Sequence, residues 1–268
     1  MKFIDIGANL THESFRNDLD DVIKNAKKTG IIHIMLTGTD LQTNLEAANL
    51  ATSKPSFLSS TVGFHPHIAD KVEESDFTRA VKLLNSKHVV AIGETGLDYN
   101  RNFSSKKAQL KVFEQHLELA TQIKLPLFLH QRDAHSDFFP LLNKYRHNIA
   151  GGVIHCFTAD KTALDAYLDI EMHIGITGWI CDERRGKGLQ DIVHRIPENR
   201  LLLETDSPYL LPRSIKPRPK SRRNEPKFLP EVAKLVSEYS AKTLKEIAYL
   251  TTLNAKTLFN LPIDNINA

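Results

Sequence analysis

Six histidines and carboxylates in this sequence follow short apolar segments, a placement that suits metal-ion chemistry. They are His65, His67, Glu94, His130, His155 and Asp206. Imidazole nitrogen and carboxylate oxygen are the donors that hold Zn, Mn or Fe, and to a lesser degree Mg, in catalytic sites that keep a position open for water. A divalent cation would also offset the repulsion between such groups when they crowd together. The pattern therefore predicts a divalent-metal site.

Strands that alternate with helices would have to position these residues. Short apolar, β-branched runs occur at residues 3–6, 31–36, 58–62, 89–92, 127–129, 152–154, 173–177 and 201–203. Helical periodicity lies between or after them, at residues 19–28, 106–123, 162–168, 230–239 and 245–259. Continuous apolar runs are typical of parallel strands covered by helices on their faces. We predict an α/β fold, a single-domain (β/α)8 TIM barrel over residues 1–268 with extra C-terminal helices; a doubly wound open sheet is the alternative.

A closed barrel would bring the C-terminal strand ends to one mouth, so residues from 65 to 206 would meet in a small volume. A single histidine at a strand end is more often structural, but the joint pattern favours a site. The other histidines lack this placement and are assigned to ordinary helix or loop positions: His12, His33, His88, His116, His147, His173 and His194. His135 is placed on the helix after His130.

Composition fits a globular protein with a sizeable core, since hydrophobic residues make up 41% and charged residues 25% of the 268-residue chain. The net charge of +3 does not by itself indicate a nucleic-acid partner. Cys156 and Cys181 are the only cysteines and are interpreted as free thiols. We see neither a signal peptide nor an apolar stretch of about 18 residues, so we expect a cytoplasmic protein without a membrane segment.

The sequence resembles the TatD family of metal-dependent deoxyribonucleases, which are amidohydrolase-like TIM barrels. The resemblance is carried in order by segments that begin at Phe3, Gly63, Ile92, His130, His155 and Glu204. Two further segments, at residues 176–186 and 221–226, resemble one subgroup of the family. The first strand departs from much of the family, because Gly7-Ala8-Asn9 stands where two histidines separated by one residue are common.

The resemblance implies that Glu94, His130 and His155 coordinate the metal, with Asp206 as a ligand or as the base that orients the attacking water. Magnesium is the expected ion, with manganese or zinc as alternatives. A metal-activated water would attack phosphorus. His65, or alternatively His67, would donate to a phosphate oxygen or protonate the leaving group.

Because the two first-strand histidines are absent, a second metal would bind weakly, would use Asp5 or Asn9 with waters, or would not bind at all.

Phosphodiester substrates require cations near the site. Six cations lie in the proline-containing segment 213–223 after the eighth strand, and His67, Arg132, Arg222 and Arg223 are the predicted substrate-binding residues. Aromatic residues near these segments could stack unpaired bases, although most are expected to be barrel packing: Phe64, Tyr99, Phe103, Phe157, Trp179 and Tyr209.

We expect a monomeric 3′-to-5′ exonuclease that acts on ends of single-stranded DNA or RNA, with no obligate protein partner. Two alternatives stay open. One is ester or amide hydrolysis on the same barrel, such as aminoacyl-tRNA deacylation. The other is a non-catalytic nucleic-acid-binding protein that retains a decayed site.

Overall fold

Strands and helices alternate along the chain in the computed structural model, which describes residues 1–263. The strands are β1 (Phe3–Ala8), β2 (Ile31–Leu36), β3 (Leu58–Val62), β4 (Val89–Asp98), β5 (Leu127–Arg132), β6 (Gly152–Ile154), β7 (His173–Ile176) and β8 (Leu201–Leu203). The α-helices are α1 (Leu19–Lys28), α2 (Leu41–Ser53), α3 (Glu74–Leu83), α4 (Lys106–Ile123), α5 (His135–Tyr145), α6 (Lys161–Asp169), α7 (Lys187–Ile192), α8 (Leu229–Ser240) and α9 (Leu244–Phe259). All the predicted strands and helices are confirmed; β1, β4 and β5 run further than predicted, and β7 ends one residue earlier.

The strands follow one another in the sheet in chain order, from β1 to β8. The end of β1 also joins the segment after β8, because Ala8 forms a parallel bridge with Ser207 and the amide of Asp206 donates to the carbonyl of Gly7 at 2.8 Å. A doubly wound sheet would not keep the strands in chain order. The predicted (β/α)8 barrel is confirmed, and α8 and α9 are the predicted extra helices after the last strand.

Contacts between backbone positions divide the chain into two compact units. Among the described residues, the first unit contains Met1–Leu36, Cys156–Asp160 and residues 174–263, and the second contains Thr37–His155 and Lys161–His173. That residues 1–268 form one domain stays a prediction, and residues 264–268 lie outside the described residues.

The second unit consists of β3 to β6 with helices α2 to α6. All ten residues of β4 are buried, as expected for a strand covered on both faces. Helices α4 and α5 pack through Phe113 and Phe138, whose rings stack at 4.8 Å between centroids. Helix α4 begins after Ser105, whose hydroxyl accepts the amide of Ala108 and so satisfies one free N–H of the first turn.

The first unit contains β1, β2, β8 and most of β7, together with α1 and α7 to α9. Helix α9 begins with a capping box in which Thr243 and Glu246 exchange side-chain and backbone hydrogen bonds. Thr252 of α9 donates to the carbonyl of Lys2, which ties this helix to the start of the chain. Within residues 1–263, no helix combines the length and the apolar character that a bilayer span requires.

Candidate active site

Glu94 lies at the centre of a group of histidines that belongs wholly to the second unit. The glycines on either side of it let β4 run very close to β5. A Cβ on Gly93 would lie 2.1 Å from the carbonyl oxygen of Phe128, and one on Gly96 would lie 1.9 Å from that of His130. Both glycines have φ of +143°, which other residues rarely adopt. Glycine at these positions therefore allows Glu94 to lie beside His130.

One carboxylate oxygen of Glu94 faces three imidazoles. Oε1 is 2.8 Å from Nε2 of His155, 3.0 Å from Nδ1 of His130 and 3.2 Å from Nε2 of His65. Burial alone would raise the pKa of Glu94, but the surrounding histidines, His155 foremost, outweigh it and hold the pKa well below its usual value. Glu94 is therefore ionised although only 6% of its side chain is exposed.

His155 is held in place by β5. Its amide donates to the carbonyl of Leu129 at 2.9 Å, and its ring stacks on Phe128 with the centroids 4.6 Å apart. Only 4% of the side chain is exposed. Packing therefore fixes the direction in which Nε2 points, toward Glu94.

His130 lies between two carboxylates. Its Nδ1 faces Glu94, and its Nε2 is 3.1 Å from Oδ2 of Asp98. Burial lowers the pKa of His130, but the hydrogen bonds with Asp98 and Glu94 outweigh burial and raise it. A carboxylate that accepts the second N–H of a histidine is the usual outer partner of a metal-ligating imidazole, because it fixes the tautomer and the ring orientation. Asp98 occupies that position relative to His130.

Asp98 is a site residue that was not predicted from the sequence. Its Oδ2 also lies 2.8 Å from Nε2 of His67, while Oδ1 accepts the amides of Asn100 and Arg101. Burial opposes ionisation of Asp98, but the hydrogen bonds with His130 and His67 hold its pKa well below the usual range. The sequence feature that could have identified it is its position four residues after Glu94, at the end of the same strand.

His65 has a hydrogen-bond pattern that fixes its tautomer. Its Nδ1 accepts the amide of His67 at 3.0 Å, so Nε2 carries the proton and donates to Glu94. Burial lowers the pKa of His65 to about 4, against a smaller opposing effect of Glu94. His65 is therefore a neutral N–H donor near pH 7. Its predicted catalytic role stays a prediction.

The ligand types and spacing of this cluster fit a divalent cation. His65, Glu94 and His130 each have one atom of a metal-ligand type, and these three atoms lie within 4.8 Å of one another. His155 contacts the same oxygen of Glu94. Nitrogen and carboxylate oxygen donors of this kind suit zinc, manganese, iron or magnesium. The residues predicted to meet in the second unit, Glu94, His130 and His155, do meet.

Asp206, Asn9 and Asp5 belong to the first unit. Asn9 donates to Oδ1 of Asp206 at 3.0 Å. Asp5 is fully buried and accepts the amide of Thr205 at 2.9 Å and that of Gly7 at 3.3 Å. Burial raises the pKa of Asp5 to about 8, although these hydrogen bonds oppose the shift. The predicted roles of these residues in metal binding stay predictions.

The predicted basic segment 213–223 contains neither helix nor strand, and its arginines differ in their surroundings. Arg223 pairs with Asp18 at 2.6 Å and with Glu225 at 3.0 Å, and its guanidinium lies over the ring of Phe15. Only 16% of its side chain is exposed, so these contacts favour a structural role. Arg222 is exposed. Both remain predicted substrate-binding residues.

Arg132 ends β5 in the second unit and lies 4.0 Å from the carboxylate of Asp133. Its predicted contact with substrate stays a prediction.

Two histidines assigned to helix or loop were placed wrongly. His33 lies in β2 and His173 in β7, and both are buried. Burial lowers the pKa of His33 to about 4, which keeps the imidazole neutral and compatible with the apolar residues around it. His135 begins α5, as predicted, and its Nδ1 lies 2.9 Å from the hydroxyl of Tyr167. Cys156 and Cys181 are thiols that form no disulfide, as predicted.

Comparison with known proteins supports the resemblance found in the sequence, over almost the entire chain. A family model described as TatD related DNase matches residues 4–260. A relative from Edwardsiella piscicida, named 3'-5' ssDNA/RNA exonuclease TatD, is 46% identical, and the match covers 96% of this chain and 99% of that protein. A relative with the same name from Erwinia billingiae is 45% identical over the same shares of the two chains.

Two solved structures are similar in fold. The hydrolase TatD family protein from Entamoeba histolytica has a TM-score of 0.88 and 28% identity, covering 97% of this chain and 98% of that chain. A TatD homologue from Escherichia coli K12 has a TM-score of 0.87 and 26% identity with the same coverage. With Glu94 and its histidines in the segments that carried the resemblance, the chain belongs to the TatD-related DNase family.

Proposed function

We propose that this protein is a metal-dependent 3′-to-5′ exonuclease that hydrolyses the phosphodiester bonds of single-stranded DNA or RNA. The observation that carries the proposal is the convergence of His65, His130 and His155 on one oxygen of Glu94. Membership in a family of DNases assigns the chain to the nucleases, and relatives about 45% identical are named as exonucleases of single-stranded DNA and RNA. The convergence supplies a metal-binding constellation for that chemistry.

Glu94, Nδ1 of His130 and Nε2 of His155 are the groups we propose as metal ligands, with Asp206 as a further ligand or as the base that orients the attacking water. When bound, a divalent cation would lower the pKa of a coordinated water and offset negative charge that develops on the phosphoryl oxygens. We propose magnesium as the ion in use, with manganese and zinc as alternatives. Asp5 and Asn9 are the groups left for a second, weaker ion.

His65 acts in this proposal as a neutral hydrogen-bond donor to a phosphoryl oxygen. Because Nδ1 accepts the amide of His67, the one N–H of His65 is on Nε2; it donates to Glu94 in this structure and would have to turn to a phosphoryl oxygen when a substrate binds. A low pKa keeps this imidazole neutral near pH 7, which suits a donor that stabilises charge better than an acid that releases a proton. Protonation of the leaving group by His65 is the less favoured of its two predicted roles.

Asp98 keeps His130 in the tautomer that metal binding needs. When a cation is bound, a proton held on Nε2 of His130 by Asp98 would leave the lone pair of Nδ1 available to the ion beside Glu94. His67 donates from Nε2 to the same oxygen, Oδ2 of Asp98, and is proposed to contact the substrate phosphate. Arg132, Arg222 and Arg223 are the remaining proposed substrate contacts, and Arg223 has the weakest support because of its carboxylate partners.

We propose further that the protein works as a cytoplasmic monomer without an obligate protein partner. The two free cysteines are consistent with a reducing compartment. Sedimentation of the purified protein with and without an oligonucleotide would establish the oligomeric state.

The test of the function uses 5′-labelled single strands, blunt duplexes and aminoacyl-tRNA, each incubated with the protein and Mg²⁺ or Mn²⁺. We expect progressive shortening of single strands from the 3′ end, loss of this activity in Glu94→Ala, and full activity in Glu114→Gln, a carboxylate change on the exposed face of α4. Strands that stay intact with every metal would refute the proposal. Release of the amino acid from tRNA without shortening would instead identify a deacylase.

A non-catalytic binding protein predicts a different result. Strand binding would persist after replacement of both His130 and His155 by alanine, would weaken with salt, and would never lead to turnover.

A further inference from the structure

We propose that Phe103 is a stacking platform for one base of the single strand, placed at the edge of the histidine cluster. This inference rests on the proposed nuclease function and deepens it, because it names a side chain that would recognise an unpaired base. Its support comes from the exposure of the ring, its contact with His67 and the anchoring of the loop that carries it.

The six aromatic residues that the sequence offered as candidates for base stacking differ sharply in the structure. Phe64 and Phe157 are each 2% exposed and belong to the core. Tyr99 and Trp179 are half-buried, whereas Phe103 is 66% and Tyr209 53% exposed. Isolated exposed apolar side chains are common on proteins, so exposure alone does not identify a function.

What distinguishes Phe103 is its neighbour in the second unit. Its ring centroid lies 4.8 Å from that of His67, and the two rings are nearly perpendicular, at 85°. His67 in turn lies 4.1 Å from His65, ring to ring. Phe103 is thus the outer member of a chain of rings that leads to the oxygen of Glu94.

The loop that carries Phe103 is anchored on both sides. Before it, the amides of Asn100 and Arg101 donate to Asp98 at 3.0 and 2.9 Å. After it, Ser104 is 4% exposed, and its hydroxyl donates to the carbonyl of His67 at 2.9 Å. The exposed ring therefore sits between fixed points of the backbone, and little conformational freedom would be lost when a base stacks on it.

An anchored, exposed ring beside a phosphodiester-hydrolysing site fits an unpaired nucleobase. Every base has a π-face, so stacking of this kind tolerates sequence. In a duplex, neighbouring base pairs cover those faces, and the contact is available only where a strand is single or its end has opened. Phe103 would thus contribute to the preference for single strands.

The test measures binding of labelled single-stranded DNA by fluorescence anisotropy in EDTA, so that hydrolysis does not interfere. From the usual stacking contribution, Phe103→Ala is expected to raise Kd between about 5-fold and about 150-fold. Phe103→Trp should bind at least as tightly as the wild type, and Phe103→Leu should resemble the alanine variant, because leucine restores apolar volume but has no π-face.

A double-mutant cycle links Phe103 to a base. Oligonucleotides with one abasic residue at successive positions from the 3′ end should reveal one position where the loss of the base weakens binding to the wild type. Phe103→Ala, which already lacks the ring, should lose little further affinity when that same base is missing. Equal losses in both proteins at every position, or unchanged affinity in Phe103→Ala, would overturn the inference.

Tyr239→Ala, at another exposed aromatic, is the matched control and should bind like the wild type. Unchanged thermal unfolding of Phe103→Ala would establish that the ring is not needed for folding. The two proposals also fail differently: if the wild type degrades strands and Phe103→Ala binds and degrades them equally well, only this inference falls. If the wild type degrades no strand, the nuclease proposal falls.

Discussion

Replacement of Asp98 by asparagine is expected to weaken metal binding although Asp98 is not a proposed ligand. Asparagine has the same shape, and its carbonyl oxygen can keep the amides of Asn100 and Arg101, now 3.0 and 2.9 Å from Oδ1. The new NH2 group then takes the place of Oδ2, which lies 3.1 Å from Nε2 of His130. Two donors would face each other there.

His130 can relieve that conflict only by keeping its proton on Nδ1 or by turning its ring, and either change removes the lone pair that Nδ1 would offer to a metal ion. Loss of an outer partner of a metal-ligating histidine typically costs 10–100-fold in metal affinity or activity, about 1.4–2.7 kcal/mol. Because Asp98→Asn also reverses the hydrogen bond with His130, we expect a value toward the upper end of that range.

Isothermal titration with Mn²⁺ measures the affinity, and long-range ¹H–¹⁵N NMR reports which nitrogen of His130 carries the proton. Glu114→Gln, at a carboxylate that contacts Lys144, controls for the loss of a negative charge. If Asp98→Asn binds Mn²⁺ within about 2-fold of the wild type and His130 keeps its proton on Nε2, the assignment of Asp98 as its orienting partner is wrong.

Three further results are expected. Glu94→Gln should lower Mn²⁺ affinity by more than the roughly 100-fold upper range for outer residues, because it changes the shared carboxylate itself; calorimetry that shows wild-type affinity would exclude Glu94 as a ligand. Arg223→Ala should lower the free energy of unfolding by about 1.5–3 kcal/mol through the loss of charged hydrogen bonds; an unchanged Tm would refute this structural role, and a rise in KM for a single strand would separately support the proposed substrate contact. Burial lowers the pKa of His116 to about 4, so as pH falls this histidine is protonated in the unfolded chain before it is protonated in the folded protein. Its contribution to the free energy of unfolding should therefore drop by roughly 1.4 kcal/mol per pH unit between about pH 6.5 and pH 4. Urea unfolding of His116→Gln should show a weaker pH dependence of stability in that window, and parallel curves for the variant and the wild type would contradict the interpretation.

The fold and the residues at the centre of the site could be predicted from the sequence because both depend on local patterns. Apolar runs gave the eight strands, and the polar residues that follow them gave Glu94, His130 and His155. In a barrel, the ends of successive strands are neighbours by construction. The extent of β4 was underestimated, since Gly93 and Gly96 interrupt the apolar pattern while the strand continues to Asp98.

Features that depend on partners distant in sequence could not be predicted. The pairing of Arg223 with Asp18 could not be predicted, because the two residues are 205 positions apart. The tautomer of His65 is set by a backbone amide, which no pattern of residue types reveals. Asp98 was passed over because its role follows from an imidazole 32 residues further on.

The two oxygens of Asp98 face different parts of the protein, and this has a consequence for engineering. Oδ2 orients imidazoles, while Oδ1 holds the turn at Asn100 and Arg101. A variant in which the loop at residues 99–104 is exchanged to change the substrate range must therefore keep two backbone amides that donate to Asp98. An insertion between Arg101 and Ser104 would leave both anchors in sequence but would move Phe103 away from His67, so it would exchange the proposed base contact for a new one.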